Sequence, residues 1–200
     1  MALADYELLA RARQWVADVH PHPLHLDQAL HWLLVIDPDA DYALQIAAVT
    51  HDIERAFPAD EDPPDAGNPL SPVYNEWHQE RSARVSEEWL LQQGAPEDLV
   101  RRVGALVRVH EFGGGPAGGD ELQAADSLAF LEVQIPLFEQ LVAEGKMDYE
   151  LAGRKVRWMY ERIQVPQARP LAEPMLEAAL ARIDPESSPS PVLRISSEGS

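Results

Sequence analysis

The chain has no cysteine among its 200 residues. Disulfides, thiolate metal ligands and a cysteine nucleophile are therefore excluded at once. Cations are scarce as well: 16 Lys and Arg stand against 34 Asp and Glu, for a net charge of −18. Such a chain repels polyphosphate backbones, so nucleic acid is not an expected partner. No apolar run approaches the roughly 20 residues that span a bilayer, so no membrane partner is expected. Asp5 and Glu7 come early and no basic segment precedes an apolar one; a signal peptide is not expected and a cytoplasmic location fits. Strand-like alternation never extends beyond a few residues, and no repeat of fixed period is present. The glycine-rich stretch 112–119 lacks the Gly-Lys-Ser/Thr ending of a phosphate-cradling loop.

What remains is helix. With 46% apolar residues, the chain is long enough for one domain with a substantial core. Periodicity predicts helices over about 2–18, 24–36, 40–55, 74–93, 97–111, 120–143, 148–163 and 171–183. His20-Pro21-His22-Pro23 breaks the first from the second, and Gly94-Ala95-Pro96 supplies a helix stop followed by a helix start. Asp120 and Asp148 are placed to cap the helices that follow them. Residues 57–73 carry five prolines, one glycine and four acidic residues, a connection long enough for a lid or binding loop, or for a plain solvated excursion. After Asp184 the Ser, Pro and Glu content is too polar to fold, so 184–200 is expected to be a disordered tail. The expected fold is all-α: a bundle of seven or eight helices forming one domain over 1–183.

The informative residues are polar ones on apolar stripes. His51-Asp52 ends the run Ala43-Leu44-Gln45-Ile46-Ala47-Ala48-Val49-Thr50, and Leu44, Ala47 and Ala48 share a face with His51. His110 extends the stripe of Leu99, Val103, Leu106 and Val107. Asp126 sits among Leu122, Ala125, Ala129, Phe130 and Val133, where an acid is hard to explain by packing. His78 lies on a mixed face with Tyr74, Val85 and Trp89, beside Arg81 and Ser82. Singly, a histidine of this kind is more often a core or surface residue than a ligand. Several imidazoles and carboxylates aimed at one interior point to a site for Mn, Fe, Ni or Zn.

The order His … His-Asp … His … His … Asp resembles the HD-domain metal-dependent phosphohydrolases over about residues 20–135. The resemblance rests on the segments Ala47-Ala48-Val49-Thr50-His51-Asp52-Ile53, Trp77-His78-Gln79-Glu80-Arg81-Ser82-Ala83, Val107-Arg108-Val109-His110-Glu111 and Leu122-Gln123-Ala124-Ala125-Asp126-Ser127-Leu128. It implies a helical bundle around a metal centre. Because His78 and His110 are both present, it implies the binuclear branch, in which Asp52 bridges two metals. The implied ligand set is His25, His51, Asp52, His78, His110 and Asp126. His25 is chosen for the first position because it lies 26 residues before His51, near the start of its helix. His20 and His22 are also within range but fall in the proline-broken loop, and His31 is read as a surface or supporting histidine. The sequence departs from the family after the pair, with Ile53-Glu54-Arg55 where Ile-Gly-Lys is common. Arg55 could replace that lysine at a phosphate; a surface salt bridge with Glu54 or Asp60 is its other reading.

Beyond residue 135 the resemblance is silent. Six of the 16 cations lie between Lys146 and Arg169, as a solvated helix face or as a phosphate-facing patch. Lys155, Trp158 and Arg162 share one side of their helix and could reach a substrate. The expected activity is hydrolysis of a small phosphorylated metabolite or nucleotide by a metal-activated water, with one or two divalent ions as cofactor. Asp52 and Arg55 would act at the reacting phosphate, and Arg55, Lys155 and Arg162 would bind it. Two alternatives share this ligand set: a di-iron oxygenase, and a metal-dependent binding or regulatory module without turnover.

Overall fold

A helix starts where a side chain can accept the backbone N–H groups that lack an intrahelical partner, and this chain supplies such residues at several breaks. A computed structural model describes residues 5–59 and 61–183; the expected tail over 184–200 and residues 2–4 of the first expected helix lie outside them. Helices α1 (Asp5–Val19), α2 (Pro23–Ile36) and α3 (Tyr42–Thr50) come first, followed by a 3₁₀ turn over Ile53–Ala56. Helices α4 (Pro72–Gln92), α5 (Glu97–Val107), α6 (Gly119–Val133), α7 (Ile135–Ala143), α8 (Tyr149–Glu161) and α9 (Arg169–Ile183) complete the described residues. Asp41 accepts from the Leu44 N–H at 2.9 Å, Ser71 from Tyr74 at 3.3 Å and Asp148 from Leu151 at 2.6 Å. The fold is all-α, with nine α-helices and no strand among the described residues.

Three local expectations change. The helix expected over 120–143 is two helices, because Pro136 cannot donate a backbone hydrogen bond and restarts the chain as α7 at Ile135. The helix expected to run to residue 55 stops at Thr50: His51 still has helical angles, but Asp52 (φ −104°, ψ 10°) has left them. Asp120 does not cap α6. Its Oδ1 instead accepts from the Gly114 N–H at 2.6 Å and folds the glycine loop back on itself. That fold brings the Gly114 carbonyl so near Gly119 that a Cβ there would lie 2.0 Å from it, so residue 119 must lack a side chain.

Helices α2 and α6 pack against one another and form the centre of the bundle, with α3 against α1, α2 and α5, α4 against α5, and α8 against α9. Leu26, Leu33, Ile46, Leu106, Leu122 and Leu128 are fully buried between them. At about 1.5–3 kcal/mol per fully buried large side chain, this packing supplies the force that turns each helix's apolar stripe inward. The polar residues that interrupt those stripes are carried inward with it. No described helix is long and apolar enough to cross a membrane.

Candidate metal centre

Three helices and the turns that follow two others deliver the cluster. His25 stands in the first turn of α2, His51 at the end of α3 with Asp52 next to it, His78 in the middle of α4, His110 just beyond α5, and Asp126 in the middle of α6. All six are buried; His51, His78 and His110 have no accessible surface. The imidazoles form a row: His25 to His51 at 5.3 Å between centroids, His51 to His110 at 5.0 Å, His110 to His78 at 5.3 Å. Two groups of potential ligand atoms lie within 4.8 Å of one another, His25–His51–Asp52 and Asp52–His78–His110. Asp52 belongs to both. Its Oδ2 faces His25 Nε2 at 3.9 Å, while Oδ1 faces His78 Nε2 at 2.7 Å and His110 Nε2 at 3.7 Å. Asp126 Oδ1 joins the first group, 3.1 Å from His25 Nε2 and 3.4 Å from His51 Nε2.

The rings are aimed by their other nitrogens. The Nδ1–H groups of His51 and His110 donate to the carbonyls of Ala48 (2.9 Å) and Val107 (2.7 Å), each three residues back in its own helix. His78 Nδ1 faces Glu54 Oε1 at 2.9 Å, and Arg81 holds the second oxygen of that carboxylate at 2.5 Å. Fixing the proton on Nδ1 leaves the Nε2 lone pair for a cation. The Nε2 atoms of His51 and His110, and Nδ1 of His25, are buried without a hydrogen-bond partner among the described residues. Orphaned buried polar atoms are rare and costly. Converging imidazole lone pairs beside two carboxylates fit divalent transition metals, and this cluster could hold such ions.

Charge is arranged to keep the acids ionised. Burial opposes ionisation of Asp52, but Arg55 and then His78 hold its carboxyl well below the usual carboxylate range. Burial opposes Asp126 likewise, and Arg162 followed by His51 overcomes it. Burial disfavours a charged His51, yet Asp126 and Asp52 raise its pKa to about 9. His110 is lowered, chiefly by burial. Burial also brings Lys155 down to about 8, against the pull of Glu111.

Two acids here were not identified from the sequence. Glu54 is buried against His78 and Arg81 and does not pair with Arg55 at the surface. Glu111, 5% exposed, places Oε1 4.0 Å from His78 Nε2 and 3.9 Å from His110 Nε2. Lys155 and Arg162 outweigh burial and lower Glu111 to about 2. Its only sequence signal was adjacency to His110, since one helical step normally turns a neighbour away. Beyond the end of α5 the backbone leaves the helix, and neighbours can face the same point.

The three cations differ. Arg55 donates to Asp52 Oδ2 at 3.0 Å, keeps 39% of its side chain exposed and lines a cavity beside the cluster. Lys155 lines the same cavity, makes no hydrogen bond or ion pair among the described residues, and rests 4.1 Å above the Trp158 ring. Arg162 corrects an expectation. It is buried and donates to both Glu111 (Oε2 at 2.6 Å) and Asp126, as well as to Ser127 Oγ at 2.9 Å. A guanidinium so engaged clamps two carboxylates and is not available to a substrate. Among the early histidines, His20 is satisfied: Nε2 donates to the Asp52 carbonyl at 3.2 Å and Nδ1 accepts from the His22 N–H at 3.1 Å. His22 and His31 are exposed, and only His25 enters the cluster.

No protein-family model matches the chain, and no curated protein matches it. Among solved structures, the selenomethionine crystal structure of YpgQ from Bacillus subtilis is similar, with a TM-score of 0.64 over 90% of this chain and 93% of that one. At 20% sequence identity the likeness establishes a shared fold.

Proposed function

We propose that this chain is an HD-type metal-dependent phosphohydrolase acting on a small phosphorylated molecule. One observation carries the reading: Asp52 is shared by two groups of potential ligands in which the His51, His78 and His110 imidazoles are pre-aimed through Nδ1, and the cluster opens on a cavity lined by Arg55 and Lys155. His25, His51, Asp126 and one Asp52 oxygen would hold the first ion; His78, His110 and the other Asp52 oxygen would hold the second. When bound, divalent ions supply Lewis acidity at a phosphoryl oxygen and acidify a water toward neutrality. The protein's part is binding and positioning. Arg55 and Lys155 contact the phosphoryl oxygens and offset the charge that develops there. Lys155 suits this because its ammonium is held at the cavity over the Trp158 ring with no hydrogen bond or ion pair among the described residues. Arg162 holds Asp126 and Glu111 in place, and Glu54 fixes the His78 ring.

Elemental analysis of the purified protein is expected to give about two transition-metal ions per chain, since six ligands exceed the three or so protein ligands of a single open catalytic site. Phosphate release should be lost on chelation and restored by added Mn, Fe, Ni or Zn. Full metal loading without release from any phosphate ester counts against the reading. An EPR signal of mixed-valence iron together with oxygen consumption would replace it with oxygenase chemistry.

A further inference from the structure

The cavity beside the cluster has a volume of about 530 Å³ and is walled by two chemically different halves. Its polar half comes from the ligand-bearing segments: His25 on α2, Asp52 and Arg55 after α3, Glu111 after α5 and Asp126 on α6. The other half comes from the last turns of α6, from α7, from the approach to α8 and from α8 itself. It presents Phe130, Leu137, Phe138, Met147 and Met159, with Gln134 the uncharged polar side chain among them. Phe130 and Phe138 meet edge to face at 5.1 Å, which braces that wall. Asp126 and Phe130 are one helical turn apart on α6, and Lys155 and Met159 one turn apart on α8, so each helix carries a charged and an apolar contribution side by side.

We infer that the ligand is a phosphate ester with an apolar, ring- or alkyl-bearing organic group, seated against Phe130, Leu137, Phe138, Met147 and Met159 while its phosphate faces Arg55 and Lys155. The inference rests on the phosphohydrolase reading for its phosphate end and on the wall for the rest. The volume lies in the range of small-molecule sites. A sugar hydroxyl turned against the Phe, Leu and Met side chains of that wall, away from Gln134, loses water and gains no partner, at a cost of about ten- to a hundredfold in affinity per group. A planar or aliphatic group gains by the same transfer. Further cover comes from the Pro-rich connection through Pro63, Ala66, Gly67, Asn68 and Pro69, from the loop His20-Pro21-His22 and from Tyr74 and Asn75 on α4.

Two inert probes, 1-naphthylmethylphosphonate and methylphosphonate, titrated calorimetrically into metal-loaded protein test the ligand class apart from turnover. The naphthyl compound is expected to bind about 10- to 100-fold more tightly, as burial of one ring requires. Leu137→Gln and Met147→Gln, at half-buried positions that tolerate a polar side chain, should each reduce that preference at least about fivefold and leave metal content unchanged. Similar affinities, no binding by either probe, or a preference that both variants retain would overturn the inference. Phosphate release from 1-naphthyl phosphate and glucose 6-phosphate is measured alongside. Release from neither ester with the phosphonate preference intact removes the hydrolase reading and leaves the ligand class standing; equal release from both with equal phosphonate affinities does the reverse.

Discussion

The two halves of the cluster share Asp52 but are held differently. On the side of His78 and His110, every Nδ1 has a partner, Glu54 in one case and the Val107 carbonyl in the other, and Asp52 Oδ1 already lies 2.7 Å from His78 Nε2. Glu111 adds a further negative oxygen within 4.0 Å. On the side of His25, His51 and Asp126, the His25 Nδ1 has no partner among the described residues, and Arg162 offsets the charge of Asp126. A carboxylate behind an imidazole fixes its orientation and raises its basicity, whereas a cation behind a carboxylate weakens its pull on a metal. The difference teaches that pre-organisation favours the His78–His110 half, while Arg162 offsets an acid on each side. A limiting metal titration followed by calorimetry should therefore show two steps, with the His78–His110 half filling first.

The largest test removes what the halves share. Asp52→Ala should empty both and abolish phosphate release, while His31→Ala, an exposed position outside the cluster, changes neither; equal losses in the two variants would break the assignment. Next in size is Arg162→Ala. It leaves Asp126 and Glu111 buried without this guanidinium, so unfolding stability of the metal-free protein should fall by about 3–5 kcal/mol. Glu54→Gln sharpens the comparison itself. It should weaken the His78–His110 half about 10- to 100-fold and spare the other, so that metal content falls from about two to about one at low metal concentration.

Smaller effects are expected at the cavity. Lys155→Ala should lower kcat/KM about 10- to 100-fold at unchanged metal content, the value of one charge-assisted contact in the transition state. Its pKa, brought down to about 8 by burial, predicts the pH profile. The free enzyme carries the ammonium below about 8 and loses it as pH rises, so kcat/KM should fall on the alkaline side of that value. Lys155→Arg, charged throughout, should remove this limb; a limb that stays would assign the ionisation elsewhere.

Much of this was legible in the chain. The apolar stripes predicted all-α structure, and the polar residues set into them at 51, 78, 110 and 126 are brought together. Both follow from local periodicity, since a residue on a buried stripe must face the interior whatever packs against it. The break at Gln134 was legible too, in Pro136, but the apolar pattern runs straight through it. The expectation for Arg162 went wrong for a different reason. Spacing placed it beside Lys155 and Trp158 on one helix side, and spacing says nothing about which carboxylates lie opposite.

By itself the sequence determined the helices, the inward direction of His51, His110 and Asp126, and the absence of any thiolate ligand. Tertiary structure alone decided that His25 and not His20 enters the cluster, because His20 is consumed by the Asp52 carbonyl. It also decided that Glu54 and Glu111 turn inward and that Arg162 bonds two acids while Lys155 bonds no acid among the described residues. Direction along a helix is a local property, fixed by 3.6 residues per turn. Partners 28 to 51 residues apart, as Ser82 is from Glu54 and Arg162 from Glu111, are chosen only when whole helices pack.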